Sequence, residues 1–385
     1  MKISTRSQVD PFIVMDVMEA ARAAEAAGRS IIHMEVGQPA SPAPKAARAA
    51  LRQAMDAGAL GYTVALGLPE LRQAIAGLYR DWYGVALDPA RVVVTTGSSS
   101  AFLLAFTALF EAGATVGLGE PGYPSYRQIL KGLSCAPVGI PCALENRLQP
   151  VPADVPCDLD GLIVASPGNP SGTMLGHAAL KALVDHCAAH DIAFISDEIY
   201  HGIHYGARAV SALEISDDVY VINSFSKFFS MTGWRVGWMV VPPDHVRTIE
   251  RLAQNFFICP PHASQIAALG ALTAQDDCAA LVETYARNRA LMLEGLPRAG
   301  FTQIAPPDGA FYIYADVSEL TDDSLGFARE ILDGAGVAVT PGLDFDPARG
   351  ANTLRFSYAR STDDIREGLA RLRDFMAARA RRSGG

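Results

Sequence analysis

The chain has 385 residues, half of them apolar and only 19% charged, and carries a net charge of −9. That length points to two or three domains with large buried surfaces, while the acidic balance argues against nucleic acid or an anionic membrane as partner. The longest strongly apolar run, Ala101 to Phe110, is half of the ~20 residues a membrane span needs, the first residues lack the apolar core of a signal peptide, and six cysteines without CxxC spacing read as free thiols in a reducing cytoplasm.

In chain order, a short helix is expected around Val14 to Ala27, followed by the Gly/Pro/Ser-rich stretch from Gly37 to Pro44. Leu68 to Tyr83 is amphipathic, with Leu71, Ile75, Leu78 and Trp82 on one side. From about residue 90 to 240, short β-branched runs alternate with helical patterns, as in a parallel sheet covered by helices. Strands are expected at Arg91 to Thr96, Thr115 to Leu118, Leu162 to Ala165, Ile192 to Ser196, Val219 to Asn223 and Trp234 to Val241. Helices are expected from Ser98 to Ala112 and around Leu180, Leu183, Val184 and Cys187, which recur with helical spacing. A helix through Tyr285 to Leu296, strands at Ala310 to Tyr314 and Thr353 to Ser357, and a terminal Arg-rich helix with a fraying Arg-Arg-Ser-Gly-Gly tail complete the chain. The expected fold is α/β: a large domain, residues 45–275, with a mostly parallel sheet between helices, and a smaller α+β domain from both chain ends, residues 1–44 and 276–385.

Several motifs imitate sites. Gly117-Leu-Gly-Glu-Pro-Gly122 satisfies G-x-G-x-x-G after a strand, but Pro121 lacks an N–H and Glu120 puts a carboxylate where a pyrophosphate would sit, so a tight turn is expected. His186 and His190 have the i, i+4 spacing of a zinc-protease helix without its Glu, and they and the His201/His204 pair lack an evident third ligand, so no metal site is expected. Asp197-Glu198 follows an apolar strand as a Walker B pair would, yet the chain contains no G-x-x-x-x-G-K-[ST].

Only five lysines occur, and one of them, Lys227, lies among aromatic residues in Ser224-Phe-Ser-Lys-Phe-Phe-Ser-Met-Thr-Gly-Trp-Arg235. It is either a lysine snorkelling from a strand end or an amine whose pKa desolvation lowers, leaving it neutral and nucleophilic. Its neighbours favour the second reading. Ser224, Ser226 and Arg235 offer two hydroxyls and a forked cation to a phosphate dianion. Thr95-Thr-Gly-Ser-Ser-Ser runs from a strand into a helix, so the N–H groups around Ser98 and Ser99 form a second anion-binding element, unless Ser98 is merely an N-cap. A reactive lysine and a phosphate site together point to pyridoxal phosphate.

Seven segments then carry a resemblance. They are Gly61-Tyr-Thr-Val-Ala-Leu-Gly-Leu-Pro-Glu-Leu-Arg, Glu120-Pro-Gly-Tyr-Pro-Ser-Tyr, Ser166-Pro-Gly-Asn-Pro-Ser-Gly-Thr, Ser196-Asp-Glu-Ile-Tyr, the Lys227 segment, Asp308-Gly-Ala-Phe-Tyr and Leu354-Arg-Phe-Ser. Over most of its length the chain resembles the class I/II aminotransferases of the aspartate aminotransferase fold family (fold type I). The resemblance implies a cytoplasmic enzyme using pyridoxal 5'-phosphate to move an amino group from an α-amino acid to a 2-oxo acid in a ping-pong cycle. It makes Lys227 the residue joined covalently to the cofactor and Asp197 the partner of the pyridine nitrogen. Asn169 and Tyr200 would bond the phenolic oxygen, Tyr123 would stack on the ring, and Ser98, Ser99, Ser224, Ser226 and Arg235 would surround the phosphate. Tyr62 would reach the phosphate of a neighbouring subunit, which implies a homodimer with shared active sites. Arg355, with Gly37 and Asn169, would hold the substrate α-carboxylate. No residue is assigned to a second carboxylate, so the resemblance leaves specificity for aspartate open. The same residues serve C–S lyases and other eliminating relatives; a nicotinamide oxidoreductase and a ligand-sensing protein on this fold are more distant alternatives.

Overall fold

Runs of Val, Ile and Phe in the middle of the chain pair into a single sheet in the computed structural model, which describes residues 1–58 and 60–383. A short strand, β1 (Ile32–His33), precedes the seven that form it: β2 (Val92–Thr95), β3 (Thr115–Glu120), β4 (Ala136–Pro141), β5 (Gly161–Ala165), β6 (Ala193–Asp197), β7 (Tyr220–Ser224) and β8 (Gly237–Val240). Their spatial order is β2-β8-β7-β6-β5-β3-β4. β8 runs antiparallel to both neighbours, and the other pairings are parallel. Successive residues face opposite sides of a strand, so Val92, Val94, Leu162, Val164, Trp238 and Val240 enter one apolar cluster and Val93, Ile163 and Met239 another. Both faces are therefore covered, as a parallel sheet requires. β4 is an edge strand paired only with β3, which is why it tolerates Pro137 and Pro141.

The covering helices include α1 (Ile13–Ala26), α2 (Lys45–Ala57), α3 (Pro69–Tyr83), α4 (Gly97–Leu109), α5 (Pro124–Gly132), α6 (His177–Ala189), α7 (Val246–Phe256), α8 (His262–Leu272) and α9 (Gln275–Arg298). α3 begins with Pro69, whose missing N–H the first turn does not need, and stops at Gly84 in the left-handed region, φ 71°. It buries Leu71, Ile75, Leu78 and Tyr79, and α6 buries Leu180, Leu183, Val184 and Cys187 on the stripe their spacing predicts. A second sheet, β12 (Thr340–Pro341), β13 (Thr353–Ser357), β10 (Tyr312–Asp316) and β9 (Gln303–Ala305), is antiparallel throughout. β1 pairs with β11 (Val337–Ala338), tying the start of the chain to this C-terminal part, which α10 (Ser324–Ala335) and α11 (Thr362–Ser383) complete. The apolar cluster of Val92 and Leu162 runs on without a break to Ile313, Leu354 and Phe356.

Three sequence expectations are corrected. Gly117 and Gly119 lie inside β3 rather than in a turn: a Cβ on Gly117 would come within 2.7 Å of Leu159 and 2.9 Å of Ile140, so close packing, not backbone freedom, requires that glycine. The strand expected from Trp234 starts only at Gly237, because Thr232–Trp234 form a 3-10 turn and Arg235 adopts φ 50°. Arg381 and Arg382 of the tail continue α11, while Gly384 and Gly385 lie outside the described residues. No helix among the described residues is long and apolar enough to cross a membrane.

Candidate active site

Parallel strands of an open sheet deliver their connecting loops to one edge, where ligands bind. Here β2 ends at Thr95 and runs into α4, β5 leads to Asn169, β6 ends at Asp197, and β7 leads to Ser226 and Lys227. β8, running the other way, starts at the same edge just after Arg235. A cavity of about 350 Å³ there is lined by Gly37, Ser98, Ser99, Tyr123, Asn169, Tyr200, Ser226, Lys227, Arg235 and Arg355. Asp197 and Ser224 are buried just behind it, only 2% exposed each. Tyr62 does not reach it; its side chain is 83% exposed.

One wall is an anion cradle. Thr96, not Ser98, is the N-cap of α4, and it makes no side-chain cap, so the helix presents its first N–H groups to the cavity. Gly97 adopts φ 73°, and a Cβ there would lie 2.8 Å from Cζ of Arg235. Glycine thus lets the guanidinium close against the helix N-terminus, where both favour the same negative charge. Arg235 Nη1 donates to the Thr232 carbonyl at 3.0 Å, and Ser224 Oγ donates to Ser226 Oγ at 2.9 Å. Ser224 therefore orients Ser226 rather than facing the cavity.

Lys227 Nζ lies 2.7 Å from the carbonyl oxygen of Gly37. Burial lowers its pKa to about 8, helped by the positive charges of Arg355 and Arg235 and opposed by Asp197. A useful fraction of the amine is thus neutral near physiological pH. Asp197 is pushed the other way, up to about 6, by burial; hydrogen bonds from the Tyr126 hydroxyl and the Ile199 N–H and the charge of Lys227 hold it from rising further. Its chain neighbour Glu198 faces elsewhere, bonded to Ser196, Ser211 and the Ala212 N–H, which removes the Walker-like reading.

Arg355 is buried on β13, 2% exposed. Its Nη1 donates to Asn169 Oδ1 at 2.9 Å, and its Nη2 to the Glu35 carbonyl at 2.5 Å and Thr340 Oγ1 at 3.2 Å. Its Cζ sits 4.4 Å from the Tyr312 ring centroid and 4.8 Å from that of Phe345. All these hydrogen-bond partners are neutral, and Asp344 acts on Arg355 only through space, so the fork keeps charge to offer an anionic ligand. With its Oδ1 occupied by Arg355, Asn169 has only its amide N–H groups to offer the cavity.

Sequence reasoning missed Tyr126 on Asp197, Tyr312, whose hydroxyl lies 2.8 Å from that of Tyr200, and the Glu35 carbonyl and Thr340 behind Arg355. Only Tyr126 had a local signal, its position on the same face of a helical turn as Tyr123. It also missed an apolar wall formed by Phe12, Val14, Met15, Met18, Val36 and Ile199.

A desolvated lysine beside an anion cradle and a forked arginine, at the carboxyl edge of a doubly covered sheet, defines an enzyme that handles amino groups. The chain belongs to the aminotransferase class I and II family, whose model matches residues 29–372. It is 47% identical to the valine–pyruvate aminotransferase of Mycobacterium tuberculosis, over 96% of this chain and 97% of that protein. Among solved structures it superposes on a candidate aminotransferase from Silicibacter pomeroyi (TM-score 0.94, 66% identity, 98% of this chain and 100% of that one). It also matches the aspartate aminotransferase of Thermus thermophilus with maleate (TM-score 0.91, 31% identity, 97% and 100%). Transfer of amino groups is accordingly its activity, and the oxidoreductase and ligand-sensing alternatives fall.

Proposed function

We propose that the protein binds pyridoxal 5'-phosphate in this cavity and moves the amino group of an apolar α-amino acid to a 2-oxo acid, working as a homodimer in the cytoplasm. The reading rests on the convergence of Lys227, Arg235 and Arg355, each donating to neutral oxygens, on one cavity. The residues fit the cofactor: Gly97 leaves the space a Cβ would fill beside Arg235, so a phosphate can meet the guanidinium, the α4 N-terminus and Ser226 together.

When bound, pyridoxal phosphate supplies an aldehyde for amines and a ring that accepts the substrate's α-carbon electrons. Lys227 anchors it through Nζ. With its pKa lowered by burial, the same Nζ would be the base that takes and returns the substrate's α-proton. Asp197 would keep a proton on the ring nitrogen, the Asn169 amide and Tyr200 hydroxyl would bond the phenolic oxygen, and Tyr123 would pack against the ring. Arg355 grips the α-carboxylate, with the Gly37 backbone beside it, and so fixes the α-carbon near Nζ. The two half-reactions share one site and alternate, which gives ping-pong kinetics.

An apolar donor is supported by the wall of Phe12, Val14, Met15, Met18, Val36 and Ile199, and by the valine named for the 47% identical relative. The dimer is supported by exposed Tyr62, Val64 and Ile258, which lie on segments joined by a Thr63 N–H to Cys259 Sγ contact of 3.4 Å and by His262 Nδ1 to the Gly61 carbonyl at 2.9 Å. A second subunit would cover this patch and bring its Tyr62 to the phosphate. Six free cysteines suit the cytoplasm. We assign residues 45–275 to a cofactor-binding domain and 1–44 with 276–385 to a smaller one that closes over the substrate.

The test is direct. Purified protein mixed with pyridoxal phosphate should acquire a visible absorption band, and Lys227→Ala should lose both band and turnover. Aliphatic donors should outrun aspartate with pyruvate as acceptor. A wild type that stays colourless ends the reading, and faster transfer from aspartate ends its substrate part.

A further inference from the structure

At the opposite edge of the main sheet from the active site, the fold gathers a second set of reactive side chains. His186 lies in the last turn of α6 and His190 is its C-cap. Spaced i, i+4, they share one face of the helix, and their ring centroids are 4.5 Å apart. Cys157, in the loop that leads into β5, reaches the same place: one ligand atom from each of the three residues lies within 4.8 Å of the others. The histidine pair lacked a third ligand in the sequence because Cys157 meets it only through the tertiary fold.

The hydrogen bonding prepares these side chains for a cation. His190 Nδ1 lies 2.8 Å from the His186 carbonyl oxygen. A carbonyl can only accept, so Nδ1 carries the proton and the lone pair is on Nε2, the tautomer a metal ligand requires. Nε2 of His186 is buried and makes no hydrogen bond within the protein. A cation bound by this ring would supply a partner for it.

We propose that Cys157, His186 and His190 bind a zinc-class transition-metal ion, with water as the fourth ligand. One thiolate and two imidazoles are borderline-soft donors, which suit Zn²⁺ and disfavour Mg²⁺ or Ca²⁺. Zn–S near 2.3 Å and Zn–N near 2.0 Å put tetrahedral ligands roughly 3.5 Å apart. Cys157 and His190 are exposed, so their side chains have room to turn toward a bound ion. Binding releases the thiol proton to solvent. The ion joins the loop before β5 to the end of α6, at the amino ends of β5 and β6. Asp197 is at the far end of β6, about 13 Å along the strand from Ala193 at ~3.3 Å per residue. The site is thus a staple that stabilises the fold and leaves amino transfer unchanged.

The test uses the cofactor-loaded enzyme after treatment with a chelator. Zinc chloride is titrated by calorimetry, and Co²⁺ is added while the red end of the spectrum, beyond pyridoxal absorption, is watched for the bands of a tetrahedral thiolate complex. One ion per chain is expected, bound at least tenfold more weakly by Cys157→Ser and by His190→Asn. His177→Asn, which alters an exposed histidine at the other end of α6, should bind as the wild type does. Zinc should raise the Tm of the wild type but not of Cys157→Ser, while all these proteins share one metal-free Tm and one transfer rate. Wild-type protein that takes up no zinc overturns the proposal. So does undiminished affinity in Cys157→Ser and His190→Asn, which would place the ion elsewhere.

Discussion

Replacing His33 with Gln tests how the segment that carries the Glu35 and Gly37 carbonyls to Arg355 and Lys227 is held. The His33 ring bridges two carboxylates, with Nδ1 2.7 Å from Glu35 Oε1 and Nε2 3.1 Å from Glu25 Oε1. The Glu35 side chain is fully buried and that of His33 is 18% exposed. The hydrogen bond to Glu35 raises the His33 pKa to about 9, with Glu25 assisting and burial opposing. A group held above its unfolded value stabilises the fold while it is charged in both states, and that stability is lost as pH rises through the folded value. Here it is complete below about 6.5 and gone above about 9. The interval from 6.5 to about 9, at about 1.4 kcal/mol per pH unit, is worth at most about 3.5 kcal/mol. Urea unfolding of wild type and His33→Gln across that range isolates the effect, because other titrating groups cancel in the difference. The wild-type advantage should shrink by about 2–3 kcal/mol from the acid to the alkaline end. A difference in stability that stays constant with pH would refute the reasoning. Because the Glu35 carbonyl receives Arg355 and the Gly37 carbonyl receives Lys227, the variant should also bind its amino acid more weakly.

Three further outcomes are expected. Tyr126→Phe removes a hydrogen bond that lowers the Asp197 pKa, so the acid limb of the pH–rate profile should move to higher pH. Arg355→Lys keeps the charge but loses the fork, and steady-state kinetics should show KM for the amino acid rising at least tenfold with a smaller change in kcat. Gly97→Ala forces a side chain into a φ of 73° and against Arg235, so its affinity for pyridoxal phosphate, read by equilibrium absorbance titration, should fall by tenfold or more, about 1–3 kcal/mol.

The sheet was legible because buried parallel strands are nearly continuous apolar runs, and Val92–Thr95 or Tyr220–Ser224 can be little else. β4 was not, since two prolines disguise a strand that only an edge position permits. α2, α5, α7, α8 and α10 were also missed; α8 has apolar residues on every side and so no helical stripe to detect. At the site, residues bearing unusual charge in apolar surroundings, Lys227 and Arg355, could be picked from the chain alone. Their supports could not. Tyr312, Thr340 and the Glu35 carbonyl meet Arg355 only because β10, β12 and the segment after β1 assemble around β13. The apolar wall was hidden for the same reason, as Met15 and Met18 reach the cavity only because the fold packs α1 against it.

The prolines of β4 also bear on solubility. A sheet of this size would be prone to grow by recruiting strands from other molecules if its margins were free. On one margin Pro137 and Pro141 cannot donate to an incoming strand. On the other, the β2 backbone is engaged by its own chain, with the Leu66 carbonyl accepting from the Val94 N–H at 3.0 Å and Arg72 Nε donating to the Val92 carbonyl at 2.8 Å. Neither margin thus offers a row of free backbone groups for a strand of another molecule, and open-ended growth through the sheet is disfavoured.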